Sequence, residues 1–318
     1  MLTGRHFAVP AVLAVLLSRA LVASPEPSPM SQLQRKEALF LDALSVPSPG
    51  EVFAAMNKAV RPNWATLVTP ATAPVTTDRT QLALAVGVLA ANGYIAVEAQ
   101  DGQQVKNVGR EIMSVAKALG VSQSLLGRGN SLIEFADNNA WDALADELEA
   151  TENEVKTTMV EQKDRDLVTL TSAAAWLRGL EVASGVVLAK EDLQGESVLR
   201  QPALARQLSS QLGELPSRMT RGALVSAVRQ TLESIASKLE SLEEPIGKPV
   251  QKKSRSEGEK GNSEAVNREA FQRIHDEAAA IVKAVMASPG SPTSPTASGA
   301  SNAPAGVVLP ATEKPSKP

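Results

Sequence analysis

The chain has 318 residues, 43% hydrophobic and 21% charged, an ordinary globular balance with room for one or two domains. Aromatic residues make up only 3% and no cysteine is present. Disulfides, thiolate catalysis, thiolate metal sites and acylation on a cysteine are therefore excluded, and the core must be built from small and aliphatic side chains. The formal charge is −3, and loss of a leader carrying Arg5 and Arg19 would leave 30 basic against 35 acidic groups. That balance argues against a nucleic-acid partner.

Residues 1–23 read as a signal peptide: Arg5 provides a weak positive end and Phe7 to Leu17 is an apolar run too short to span a bilayer. The expectation is an exported protein, periplasmic or extracellular, with no transmembrane segment in the mature chain. Residues 24–77 are expected to hold short N-terminal helices and a Pro/Thr linker. Leu33, Phe40, Leu41 and Leu44 have helical spacing, and Ser48-Pro49-Gly50-Glu51 is a capping box that opens a helix to about Val60.

Residues 78–244 are the expected main helical domain. Asp78 can cap a helix from Arg79 with Gln81 returning a bond, and Leu82 to Ala99 is apolar nearly all round, as in a central bundle helix. After the Asp101-Gly102 turn, Val105, Val108, Ile112, Val115 and Leu119 form a stripe that Gly120 stops, so the two helices should be antiparallel. Gly127-Arg128-Gly129 reads as a break, with Asn130 or Ser131 as the cap of the next helix. Trp141, Leu144, Leu148, Val155 and Met159 mark one face of a helix whose other face, with Asp142, Asp146, Glu147, Glu149, Glu152 and Glu154, reads as solvated. Leu167 to Ala189 is again apolar on every side, and a break with Asp166 as cap is expected before it. Pro202 opens a helix to Leu212, and Leu224, Val228, Leu232, Ile235, Leu239 and Leu242 give a clean amphipathic stripe.

Residues 245–261 read as a flexible linker, residues 262–287 as an amphipathic helix capped by Ser263, and residues 288–318 as a disordered Pro/Ser/Ala-rich tail. Val266, Phe271, Ile274, Ile281, Val282 and Val285 on that helix need a surface to cover them. The fold class is all-α: an irregular multi-helix bundle with an N-terminal signal peptide and a disordered C-terminal tail.

Chemistry-bearing patterns are sparse. His275 is the one histidine beyond the proposed leader and reads as a surface residue, so a histidine metal site or Ser/His/Asp hydrolase has almost nothing to work with. Arg178 and Glu181 interrupt an apolar helix at i and i+3 and can pair in its interior. Asn92, Tyr94 and Glu98 on the other buried helix are expected to share that interior, making these five the candidate ligand-binding set. Arg128, between two glycines, is a candidate anion-binding residue. No catalytic set, metal site or cofactor is expected. Two functions are compatible with this pattern. The leading one is an exported, non-catalytic helical binding or scaffold protein of the cell envelope, with an unknown protein partner or self-association. The other is a carrier of a small apolar or amphipathic ligand inside the bundle. An enzyme working with carboxylates alone ranks behind both.

Overall fold

Residues 46–70, 72–121, 126–191, 193–242 and 257–288 are described by a computed structural model. The expected signal peptide, the helix expected around Leu33 to Leu44, most of the expected 245–261 linker and all but the first residue of the expected tail lie outside these residues. Among the described residues the chain is helical and carries no strand.

Helix α1 (Pro49–Ala59) begins at the expected capping box: Glu51 N–H donates to Ser48 Oγ at 3.2 Å and Ser48 N–H donates to Glu51 Oε2 at 2.8 Å. A 3-10 turn at Trp64–Thr66 comes next. The Pro/Thr stretch read as a linker is packed here: Trp64 is buried against Phe53, ring centroids 5.0 Å apart, and Thr69 accepts through its carbonyl from Gln104.

Two helices buried on almost every side, α2 (Arg79–Glu98) and α6 (Arg165–Leu188), form the centre. They run parallel, because Ala83 meets Thr171, Gly87 meets Ala175, and Asn92 meets Arg178. Ala83, Gly87 and Ala91 place small residues on one face of α2, and the two backbones come very close. A Cβ on Gly87 would stand 2.1 Å from the Thr171 carbonyl oxygen and 2.7 Å from the Ala175 nitrogen. By length and composition α2 could cross a membrane, yet 94% of its apolar window is covered by protein.

Around this pair stand α3 (Gly102–Leu119), α4 (Leu126–Asp137) and α5 (Trp141–Glu161). Asp101 caps α3 by accepting from Gln104 N–H, and Gly120 ends it at φ 81°. The same closure, an amide reaching back five residues, ends α2 at Asp101 to Ala96, α4 at Ala140 to Phe135, and α5 at Asp164 to Met159. Non-glycine residues hold the left-handed position in these three: Gln100, Asn139 and Lys163. The break between α5 and α6 is therefore real, but Lys163 makes it, and Asp166 lies in the first turn of α6 without capping it.

Three further departures from expectation have physical causes. Gly127 and Gly129 do not break the chain; they lie in the first turn of α4, where a helical glycine costs about 1 kcal/mol, against the burial of Leu132 and Ala136 further along. Gln81 returns no bond to its own cap, since its amide donates to the carbonyls of Val285 and Ala287 at 3.0 and 2.7 Å. Glu152 is not on the solvated face: it is 6% exposed and pairs with Lys156 at 2.7 Å.

The second half of the chain forms a smaller layer. Helices α7 (Glu196–Leu199) and α9 (Ser217–Thr220) are single turns, while α8 (Pro202–Gly213) packs against α10 (Ala223–Leu242). Arg206 on α8 holds Glu240 and Glu233 of α10. Helix α11 (Glu257–Met286) starts before the expected Ser263 and docks antiparallel along α6, touching α10 on its other side. Phe271, Ile274, Ala278, Ile281 and Val285 are buried in that contact, whereas Val266, expected on the same stripe, is 56% exposed.

Candidate functional site

The interior polar groups form separate clusters. Arg178 is buried on α6; its Nε donates to Asn92 Oδ1 at 2.9 Å, its Nη2 to Thr69 Oγ1 at 3.3 Å, and its Nη1 stands 2.8 Å from Glu181 Oε2. One guanidinium thus ties α6, α2 and the Trp64 segment together. Such a cation satisfied on three sides is suited to holding helices in register.

Tyr94 and Glu98 are elsewhere. Two residues along a helix turn the side chain by about 200°, so Tyr94 leaves α2 on nearly the opposite side from Asn92. Its ring lies against Gly50 of α1, where a Cβ would come within 2.7 Å, and its hydroxyl stands 3.4 Å from Glu152 Oε2 on α5. Burial, and then the carboxylates of Glu152 and Glu149, push the phenol well above its ordinary range. Glu98 accepts from Asn57 Nδ2 at 2.5 Å, and Asn57 in turn accepts from the Trp64 indole at 2.7 Å. The five residues expected to share one interior therefore lie in three places.

Arg128 faces carboxylates, with Glu147 at 3.2 Å and Glu154 at 3.8 Å on α5, so its guanidinium pins α4 to α5. His275 is not a free surface residue. Its Nδ1 lies 2.9 Å from the Glu181 carbonyl and 3.4 Å from Ser184 Oγ, inside the α6 and α11 contact. Nearby, Arg268 donates to the carbonyls of Leu188 and Lys190 at 2.9 and 2.8 Å and so caps the C-terminus of α6. Among the described residues no group of three acidic or histidine side chains is placed to hold a metal ion.

A cleft is found where no candidate residue was expected. It has a volume of about 290 Å³ and lies between α3 and α4, with α2 and α5 behind it. Val108, Ile112, Leu132 and Leu148 supply apolar walls, and Gly93, Gly109 and Gly129 line it from three different helices. A Cβ added at Gly109 or Gly129 would meet nothing within 4 Å, so the space exists partly because side chains are missing there. Ile133 is 46% exposed at its rim, beside Met113 and Lys106. Asn92, Tyr94, Glu98, Arg178, Glu181 and Arg128 line no part of it. At the rim, α3 also borders a second, more polar notch of about 320 Å³ that includes Thr72, Gln104, Asn107 and Glu111.

The volume is near the lower end of small-molecule sites, and the apolar walls suit a ligand with hydrocarbon surface. No protein-family model, curated protein or solved structure matches the chain, so the geometry of this cleft carries the functional argument.

Proposed function

We propose that this is a non-catalytic binding protein whose bundle holds a small apolar or amphipathic molecule in the cleft between α3 and α4. The supporting observation is the cleft itself: a cavity of about 290 Å³ with aliphatic walls and glycines at Gly93, Gly109 and Gly129. Glycine inside a helix costs about 1 kcal/mol relative to alanine. Gly109 sits in the middle of α3 with no neighbour requiring its smallness, so stability alone does not account for it.

Export belongs to the same proposal and rests on the Arg5 and Phe7 to Leu17 leader pattern. The alternative, an envelope scaffold, draws its support from an amphipathic C-terminal helix in need of a partner. With Phe271, Ile274 and Val285 covered by the protein's own α6 and α10, that support is reduced.

Native mass spectrometry of the protein from its own source, beside the Gly109→Leu variant, tests the reading. The expected result is a stoichiometric small molecule on the wild type and none on the variant, with the variant melting no lower. Wild-type protein free of any small molecule, and unable to bind 1-decanol, decanoate or decyltrimethylammonium in solution, would overturn it. A stoichiometric protein partner recovered in the same preparation would then favour the scaffold.

A further inference from the structure

Arg110 lies on the border shared by the apolar cleft and the polar notch and lines both. Its guanidinium is laid back along α3: Nε donates to the Lys106 carbonyl at 3.3 Å and Nη2 to Asn107 Oδ1. A guanidinium has five N–H donors, and these two bonds fix its plane while leaving others to spare. Among the described residues Arg110 forms no ion pair. The basic neighbour that also lines the cleft, Lys106, is already neutralised by Asp137 at 2.7 Å. The one carboxylate in the notch, Glu111, accepts the Ala73 N–H at 2.8 Å. An uncompensated cation therefore stands at the junction of an apolar chamber and a polar one.

We propose, building on the cleft as the binding site, that the ligand is a free single-chain carboxylate amphiphile of the medium-chain fatty-acid class. Its hydrocarbon tail fills the cleft against Ile112, Leu132 and Leu148, and its carboxylate meets Arg110 at the notch. A neutral head would leave the guanidinium without its charge-assisted partner, and a cationic head would meet it with like charge. The cleft is too small for a two-chain lipid with both tails enclosed, which selects a single chain.

The test is calorimetric titration of the full chain with decanoate, 1-decanol and decyltrimethylammonium, each below its aggregation concentration. Decanoate should bind the wild type roughly tenfold or more tightly than decanol, as one charge-assisted hydrogen bond provides. Arg110→Gln should remove that advantage, so that decanoate and decanol bind the variant equally, while Arg110→Lys should retain part of it. Arg110 is exposed, so the variants should melt like the wild type, which separates lost recognition from lost folding. Equal affinity for decanoate and decanol, or preference for the cationic head, would overturn the carboxylate assignment and leave the cleft reading standing. Binding confined to vesicles of anionic lipid, with no free decanoate taken up, would overturn the choice of a free amphiphile. Failure of all three probes, or undiminished binding in Gly109→Leu, would remove the cleft reading along with it.

Discussion

Replacing Gly87 by alanine adds one methyl group at the crossing of α2 and α6, where it cannot be accommodated in place. The new Cβ would lie 2.1 Å from the Thr171 carbonyl oxygen and 2.7 Å from the Ala175 nitrogen. Both are backbone atoms of a buried helix, so no rotamer change relieves the clash. Restoring even a 3.0 Å contact requires the helices to part by roughly 1 Å, a displacement that forfeits a quarter to a half of the dispersion energy at the contacts it opens. Overpacking of this kind costs about 1–3 kcal/mol. The parting also stretches the Thr171 Oγ1 hydrogen bond to the Ala83 carbonyl, now 3.0 Å, a bond worth about 1 kcal/mol net. The helix-propensity gain of alanine over glycine returns about 1 kcal/mol, so the balance is a net loss of about 1–3 kcal/mol. Urea unfolding followed by far-ultraviolet circular dichroism measures it, with Gly109→Ala as the control that should stabilise by up to about 1 kcal/mol. A Gly87→Ala protein as stable as the wild type would show that α2 and α6 are not packed this closely.

Arg178→Leu should destabilise by about 3 kcal/mol, and by more than the double variant Arg178→Leu with Glu181→Leu, because the single change strands a largely buried carboxylate; equal losses on denaturant titration would mean the pair is not buried. A chain ended at Leu242 should melt roughly 10 °C or more below one ended at Ser288, since Phe271, Ile274, Ile281 and Val285 then no longer cover α6; equal melting temperatures would count against docking. Tyr94 is the chain's single tyrosine, and its folded-state pKa is raised, so its contribution to stability is present below the unfolded value of about 10 and declines as the pH rises above it. Tyrosinate absorbance should therefore stay absent at pH ~11 until the protein unfolds, and Tyr94→Phe should weaken the alkaline loss of stability; a native-state titration near 10 would refute the buried contact with Glu152.

The features that local chemistry decides were legible in the sequence. The Ser48 and Glu51 capping box, the Gly120 stop of α3 and the amphipathic stripe of α10 depend on neighbours a few residues away. What escaped depends on tertiary packing. Lys163 in a left-handed conformation carries no composition signal, and only the closure from Asp164 to Met159 makes it a helix end. Glu152 and Lys156 look like surface charges until the fold buries them and pairing offsets the cost. Arg178 and Glu181 were recognisable as a buried pair because they interrupt an apolar run, and Asn92 does join them. Tyr94 and Glu98 do not, since the turn of α2 sends them to other neighbours. The cleft was illegible for a different reason. It is framed by glycines from three helices, and empty space assembled from four helices leaves no motif to read.

The covering of α6 by α11 also orders events in time. Synthesis runs from the N-terminus, so α2 and α6 can meet long before the residues that seal their far side exist. Until Arg268, Phe271 and His275 have emerged, the nascent bundle presents the bare C-terminal carbonyls of α6 and an uncovered aliphatic face. The start of α2, through Gln81, likewise waits for Val285 and Ala287. A chain whose central pair is sealed by a helix this late in the sequence remains sticky and incompletely folded through most of its birth, the condition in which chaperones engage a polypeptide.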